Sequence, residues 1–120
     1  MQFDVSFYTT ADGDKPAKDF IDGLDKKLRT KVLRSINLLQ DNGNETREPD
    51  SKPLEDGIFE LRTSFGGNIT RVLYFFYVGQ RIILTNGFVK KTNKTPPAEI
   101  AIAKKYRADF LEREKEHERI

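Results

Sequence analysis

The sequence comprises 120 residues with a net charge of +2, and it contains no cysteine. The length suits one compact domain, residues 1–120, and the lack of cysteine excludes disulfides and thiolate metal sites. No stretch approaches the roughly 18 consecutive apolar residues of a membrane span, and the N-terminal residues lack a signal-peptide pattern. We therefore expect a single-domain cytoplasmic protein with no membrane partner.

The charge is distributed unevenly along the chain. Residues 1–60 carry 9 basic and 13 acidic side chains, whereas residues 61–120 carry 12 basic and 6 acidic ones. From Arg62 to Arg107 the sequence has nine basic residues and one acidic residue, Glu99, which leaves a charge of +8. Such asymmetry indicates a polyanionic partner.

The N-terminal third predicts a strand followed by two helices. Gln2 to Thr10 alternates apolar and polar residues, as a half-buried strand does. Pro16 suits the first position of a short helix that ends near Gly23. A second helix, capped by Gly43, follows from apolar residues spaced three or four apart: Leu24, Leu28, Val32, Leu33, Ile36 and Leu39. We expect this helix pair to pack on the sheet.

The middle of the chain predicts an antiparallel meander. Glu45 to Lys52 is polar and reads as a loop before a strand at Ile58–Thr63. Gly79-Gln80 then joins two further apolar runs at the spacing of a type II′ hairpin. This spacing places four pairs opposite each other: Val78 and Arg81, Phe75 and Leu84, Leu73 and Asn86, and Arg71 and Phe88. Arg71 and Lys90 then become diagonal neighbours on one face of the sheet.

The C-terminal part predicts a helix that starts after Pro96-Pro97. Its expected inner stripe comprises Ile100, Ala103, Tyr106 or Arg107, and Phe110. The final residues, EREKEHERI, read as a solvated helical end. The predicted fold class is α+β: a small antiparallel meander sheet with an N-terminal strand, two N-terminal helices packed on it and a C-terminal helix.

Several chemistries lack the residues they need. His117 is the only histidine and lies in the charged tail, so a catalytic histidine pair is excluded. The carboxylate clusters at residues 45–48 and 55–56 have no His or Cys partners for a metal. Gly66-Gly67 does not open onto a helix with Lys-Ser/Thr, as a phosphate-binding loop would. We therefore expect no metal and no cofactor.

The remaining candidates for chemistry are cations that follow or interrupt apolar strands. Arginine holds phosphate oxygens in a bidentate fork, and a lysine crowded by other cations has a lowered pKa and can transfer protons. The arrangement suits a phosphodiester, and the candidate catalytic residues are Arg62, Arg71, Lys90, Lys91 and Lys94. The alternative is that such cations only keep a sheet edge soluble, which fits Arg81 best.

Three segments carry a family resemblance. They are KPLEDGIFELR at Lys52–Arg62, RVLYFF at Arg71–Phe76 and GFVKKTNKTP at Gly87–Pro96. In their order and spacing they resemble the HigB-type branch of the RelE/ParE superfamily of toxins from toxin–antitoxin modules. The resemblance covers residues 3–112.

The resemblance implies a small toxin that cleaves messenger RNA on the ribosome. It implies a cognate helix-turn-helix antitoxin and a possible higher-order toxin–antitoxin complex. Arg62 and Arg71 match strand arginines that handle the scissile phosphate. The chain lacks the late active-site tyrosine of some relatives, so Lys91 or Lys94 would supply acid–base function. The RNA-binding candidates are Lys52, Phe75, Phe88, Lys104 and Lys105, although Phe75 fits a core position as well as a base-stacking one.

The implied mechanism is metal-independent. A base deprotonates the ribose 2′-OH, which attacks the adjacent phosphorus while Arg62 and Arg71 stabilise the phosphorane and a lysine assists the leaving 5′-oxygen. The alternative is a non-nucleolytic ParE-like toxin that poisons gyrase, or a basic RNA-binding module. Either of these alternatives needs the fold but not cations clustered at one phosphate. Likeness of fold alone does not distinguish them from the nuclease.

Overall fold

The computed structural model describes residues 2–45, 50–89 and 94–118. These residues form five strands and three α-helices. The strands are β1 (Asp4–Phe7), β2 (Ser51–Glu55), β3 (Ile58–Phe65), β4 (Asn68–Tyr77) and β5 (Arg81–Val89). The helices are α1 (Pro16–Asp22), α2 (Lys26–Asn42) and α3 (Pro97–Glu118), with a short 3₁₀ turn at Gly43–Glu45. The α+β class is confirmed.

The strands form one mixed sheet in the order β1-β5-β4-β3-β2. β2 to β5 pair antiparallel with their neighbours, but β1 pairs parallel with β5, with Val5 opposite Ile82. The expectation of a simple antiparallel meander is therefore wrong. No hairpin joins β1 to β5, because both helices and three strands intervene, so the connection does not force an antiparallel pair.

β2 lies partly where the sequence predicted a loop. Ser51 pairs with Leu61 and Lys52 with Glu60, so the polar segment adds an edge strand to the sheet. An edge strand tolerates the missing N–H of Pro53, because only one of its sides is hydrogen-bonded to the sheet. The polar composition and the proline of this segment are therefore those of an edge strand and not of a loop.

The register of the β4–β5 hairpin differs from the prediction near the turn and agrees with it further away. The loop contains three residues, Val78 to Gln80, so Tyr77 pairs with Arg81. Gly79 and Gln80 both have positive φ, which excludes the type II′ turn. A bulge between the pairs of Leu73 and Tyr74 adds one residue, Thr85, to β5. The longer loop and the bulge each shift the strand register by one residue, in opposite directions, so the two shifts cancel.

Beyond this bulge the predicted pairs Leu73–Asn86 and Arg71–Phe88 are confirmed. The predicted pairs Val78–Arg81 and Phe75–Leu84 are wrong, and Phe75 lies opposite Ile83. The Thr85 hydroxyl donates to the Leu73 carbonyl oxygen at 3.0 Å, which ties the bulge to β4. Phe88 is thus the cross-strand partner of Arg71 that the sequence predicted, whereas the predicted diagonal neighbour Lys90 lies outside the described residues.

Helices α1 and α2 cover one face of the sheet. Asp25 caps α2 by accepting a hydrogen bond from the Leu28 backbone N–H at 2.9 Å, and Gly43, with φ of 53°, ends it. The predicted apolar stripe packs on the sheet, and Val32 and Leu39 are fully buried. Leu33 departs from this stripe because it faces solvent.

Helix α3 covers the opposite face of the sheet. The helices therefore lie on both faces, an arrangement that the sequence-based expectation did not include. Ile100, Ala103, Tyr106 and Phe110 pack against the sheet as the periodicity predicted. Arg107, the alternative inner residue, instead donates to the Asp56 carboxylate at 2.7 Å. Within the described part of the chain, no helix has the length and apolar character needed to cross a bilayer.

A hydrogen-bonded cluster fastens α3 to the segment that follows β1. The Tyr8 hydroxyl donates to the Asp109 carboxylate at 2.5 Å, and Arg113 donates to the same carboxylate at 2.7 Å. The Tyr8 ring stacks on Tyr106 with centroids 4.7 Å apart. Burial and the Asp109 carboxylate raise the pKa of Tyr8 to about 12, and the hydrogen bond from Tyr8 lowers the pKa of Asp109.

We predict that Tyr8→Phe lowers the free energy of unfolding by about 1 kcal/mol at pH 7, because it removes a hydrogen bond to a partly exposed carboxylate. The folded-state pKa of Asp109 is lowered. The stabilisation that the Asp109 carboxylate provides is therefore fully present above the pKa of an unfolded aspartate, about 3.9. It is lost as the pH falls through the lower pKa of Asp109 in the folded protein. Urea unfolding at pH 7 and pH 3 measures both effects.

Tyr106→Phe is the matched control, since the Tyr106 hydroxyl has no hydrogen bond within the described ranges. It should leave the free energy of unfolding within about 0.5 kcal/mol of the parent. Equal losses in the two variants would contradict the role given to the Tyr8 hydroxyl.

Candidate functional site

Two arginines face each other on the α3 side of the sheet. Residues alternate between the two faces of a strand, so Arg62 on β3 and Arg71 on β4 share the face that carries Leu73. Arg62 and Arg71 are direct cross-strand partners, and Phe88 of β5 lies opposite Arg71. Their Cβ atoms are thereby held about 5 Å apart. The predicted convergence of strand cations is present for this pair.

Glu60 supplies the negative charge between these arginines. Its carboxylate lies 3.6 Å from Nε of Arg62 and 3.9 Å from Nε of Arg71. Thr95, just before α3, donates its hydroxyl proton to the same carboxylate and accepts a hydrogen bond from Arg71 Nη1 at 3.5 Å. We call Glu60, Arg62, Arg71 and Thr95 the arginine network.

The network is buried at one end and open at the other. Arg71 is 0% exposed and Glu60 1% exposed, whereas the Arg62 side chain is 23% exposed. A buried guanidinium without a counterion is very unfavourable, and Glu60 provides that counterion. Among the side chains that the structure describes, two cations share one carboxylate, so a net positive charge remains and is accessible at Arg62. This arrangement attracts an anion.

Two of the predicted lysines flank the network. Lys52 pairs with Glu60 across β2 and β3, which places it one strand from the arginines. Lys94 is exposed and shares with Lys52 and Thr95 a groove of about 210 Å³. Lys90 and Lys91, which the sequence also predicted as catalytic, lie outside the described residues.

The other predicted RNA contacts occupy different settings. Phe88 is half-buried opposite Arg71, and Phe75 is 2% exposed and packs edge-to-face on Phe110 with centroids 5.6 Å apart. The Phe75 ring is therefore enclosed in the core and presents no free face to a base. On α3, Lys104 pairs with Glu55, and Lys105 is exposed.

Metal-ligating groups do not converge in the parts of the chain that the structure describes. No group of three or more His, Cys, Asp or Glu side chains is placed there to hold an ion. The side chains that do converge are guanidiniums and ammoniums, which bind phosphate or carboxylate oxygens. The chemistry available at this face is therefore the binding of an anion and the stabilisation of negative charge.

Sequence reasoning missed Glu60 and Thr95. Glu60 carries a signal, because it is a carboxylate at an inward position between the buried residues Ile58 and Leu61. A charged residue in such a position needs a partner, and an arginine on the neighbouring strand is the natural one. Thr95 lies 35 residues from Glu60 and has no local pattern that would single it out.

This fold and its cationic face define a small α+β protein that can hold an anion on one side of its sheet. Over residues 19–108 the sequence matches the family described as Phage derived protein Gp49-like (DUF891). The chain belongs to this family, which is a toxin–antitoxin-associated family of the RelE/HigB type. Membership implies a cognate antitoxin partner. No curated protein matches the chain.

We predict that Glu60→Ala lowers the free energy of unfolding by about 3 to 5 kcal/mol, because it leaves the Arg71 guanidinium buried without its carboxylate. Urea unfolding followed by circular dichroism measures this. Glu55→Ala is the control, since it removes an exposed partner of Lys104 and should cost below about 1 kcal/mol. Similar losses in both variants would show that Glu60 does not neutralise a buried charge.

Proposed function

We propose that this chain is a HigB-type toxin of a type II toxin–antitoxin module that cleaves messenger RNA on the ribosome. A helix-turn-helix antitoxin would neutralise it. The observation that carries the proposal is the cross-strand pair Arg62–Arg71, held by Glu60 with net positive charge, in a chain of the Gp49-like family. Such a pair suits a phosphodiester whose charge increases during reaction.

In this proposal the two arginines have different roles. Arg62 is accessible and holds the scissile phosphate through its bidentate fork. Arg71 lies beneath it, fully buried, where the effective dielectric constant is lower and a fixed charge acts more strongly. Arg71 therefore stabilises the phosphorane from below and keeps Glu60 from pairing with Arg62 alone.

The proposed reaction needs no metal. A base deprotonates the ribose 2′-OH, the 2′-oxygen attacks the neighbouring phosphorus, and the bond to the 5′-oxygen breaks as a lysine donates a proton to it. Lys91 or Lys94 supplies the acid–base function, and Lys90 adds positive charge beside them. The products carry a 2′,3′-cyclic phosphate and a 5′-hydroxyl. DNA lacks the attacking hydroxyl and is not a substrate.

The surrounding cations fit a strand that runs across this face. Lys52 and Lys94 line one groove, so they could hold the phosphate next to the scissile one. Phe88 lies opposite Arg71 and offers the exposed part of its ring to a base. Lys105, and Lys104 when it leaves Glu55, would contact phosphates along α3.

We predict that expression of the chain without its antitoxin arrests growth and cuts translated messages. Mapping RNA 5′ ends shortly after induction measures this, with the Arg62→Ala variant at equal expression as the control. New 5′ ends within translated regions should appear only with the parent chain. Intact messages accompanied by gyrase-dependent DNA damage would contradict the nuclease proposal and favour the ParE-like alternative.

We predict that Arg62→Ala and Arg71→Ala each slow cleavage of ribosome-bound message by about 10² to 10³ at saturating protein, the usual loss for one preorganised donor. Lys91→Ala should slow it less than Arg71→Ala. Arg81→Ala is the matched control. Arg81 on β5 pairs with Tyr77, which lies six residues along β4 from Arg71, roughly 20 Å away, and Arg81 contacts Glu114.

Loss of Arg71 also removes the counterion of Glu60, so its variant could lose stability as well as activity. Arg71→Lys keeps the charge without the fork and serves as a second variant. Circular dichroism at the assay temperature identifies the variants that are folded. If folded Arg62 and Arg71 variants cleave at the parental rate, or if Arg81→Ala is the slowest, the site has been assigned to the wrong residues.

A further inference from the structure

A second cationic surface lies between α2 and β3. It is a cleft of about 430 Å³ with Lys31 and Arg34 of α2 on one wall and Arg62 of β3 on the other, and Asp50 lies at its rim. We call it the α2–β3 cleft. Neither Lys31 nor Arg34 belongs to the arginine network.

The backbone explains why these cations meet. Lys31 and Arg34 are three residues apart, so they occupy the same side of α2. β2 begins at Ser51, opposite Leu61, and the carbonyl oxygen of Asp50 just before it accepts a hydrogen bond from the Arg62 backbone N–H at 2.7 Å. Arg62 and Asp50 therefore line the cleft together where β2 starts, while Nε of Arg62 lies 3.6 Å from the Glu60 carboxylate.

Fixed contacts hold the walls of the cleft together. The Thr63 hydroxyl donates to Ser35 Oγ at 2.9 Å, which ties β3 to α2 beneath the cations. Lys31 Nζ lies 3.4 Å from the Ser64 carbonyl oxygen and 5.4 Å from the centroid of the Phe65 ring. The cleft is thus defined before any ligand arrives.

Of the three cations that line the cleft, Arg62 lies 3.6 Å from the Glu60 carboxylate, whereas the other two have no carboxylate partner among the described residues. Lys18, Arg81, Lys104, Arg107 and Arg113 each form a salt bridge. Within residues 2–45, 50–89 and 94–118, neither Lys31 nor Arg34 forms one. Three cations against Asp50 leave the lining of the cleft with a charge of about +2 at neutral pH.

We propose that the α2–β3 cleft binds the phosphodiester backbone of RNA through Lys31 and Arg34. This proposal rests on the proposed function in one respect: Arg62, to which that function gives the scissile phosphate, also lines the cleft. A strand with one phosphate at Arg62 would continue into the cleft and place further phosphates at Lys31 and Arg34. The cleft would therefore contribute affinity, while the arginine network carries the chemistry.

A phosphodiester strand fits this cleft better than an acidic peptide does. Arg34 carries a guanidinium fork that matches phosphate oxygens, and the hydroxyl residues Ser35 and Thr63 line the same cleft. The lining includes few apolar side chains of the kind that bury the anchors of a bound peptide. The strand could belong to the message or to ribosomal RNA, which share this backbone.

The test compares Lys31→Gln/Arg34→Gln with the control Lys26→Gln/Lys27→Gln. Both remove two charges from exposed positions of α2, but Lys26 and Lys27 do not line the cleft. The probe is a fluorescent single-stranded 12-mer with 2′-O-methyl riboses, which cannot be cleaved by 2′-OH attack. Its affinity is measured by anisotropy between 50 and 300 mM salt, with folding checked by circular dichroism.

For the cleft variant, the slope of log affinity against log salt should be shallower by about 1.4, since each lost phosphate contact contributes about 0.7 for a single strand. At 0.1 M salt that corresponds to about 25-fold weaker binding. The control should keep the parental slope. Equal affinities for the two double variants, or a parent that does not bind the probe, would overturn the proposal.

Ribosome binding then distinguishes the two sources of RNA. Weaker binding of the cleft variant to vacant ribosomes would assign the cleft to ribosomal RNA, and weaker binding only to programmed ribosomes would assign it to the message. Both outcomes support the proposal, and no effect on either would contradict it. Because the probe is not cleaved, these results stand whether or not the chain proves to be a nuclease.

Discussion

The shared counterion Glu60 is the constraint on which the arginine pair depends. Two guanidiniums lie directly across β3 and β4, and one of them is fully buried. Such a pair is stable only with a carboxylate on the same face, and Glu60, two residues before Arg62, is on that face. Thr95 adds a hydrogen bond from the start of α3, so closure of the helix over the sheet completes the network.

This arrangement separates stability from reactivity. Burial of Glu60 and Arg71 fixes the geometry, because charged groups inside a protein do not exchange partners freely with water. The remaining positive charge reaches solvent at Arg62, which belongs to the arginine network and also lines the α2–β3 cleft. One arginine on a sheet edge can therefore connect a site for chemistry with a surface for docking.

Local patterns predicted most of the fold and part of the site. The period of α2 and the inner stripe of α3 depend on spacing within one helix, which a sequence displays directly. The Arg71–Phe88 pair agrees with the prediction because the longer loop and the bulge at Thr85 shift the register in opposite directions. The parallel pairing of β1 depends on contacts between distant segments. The polar composition before Ile58 predicted a loop where β2 begins, because an edge strand is polar on its open side and tolerates proline. Glu60 carries a local signal as a carboxylate at an inward strand position, whereas Thr95 can be identified as its partner only once the strands and α3 are placed.

The central claim is that the face of Arg62 and Arg71 promotes attack by a ribose 2′-hydroxyl on the neighbouring phosphate. The most direct measurement uses a ribosome-bound message in which the single ribose at a mapped cut carries a 2′-O-methyl group. The account predicts that cutting at this phosphate is abolished, while the unmodified message gives a 2′,3′-cyclic phosphate end. Continued cutting at the modified position, or a 3′-hydroxyl end on the unmodified message, would contradict it.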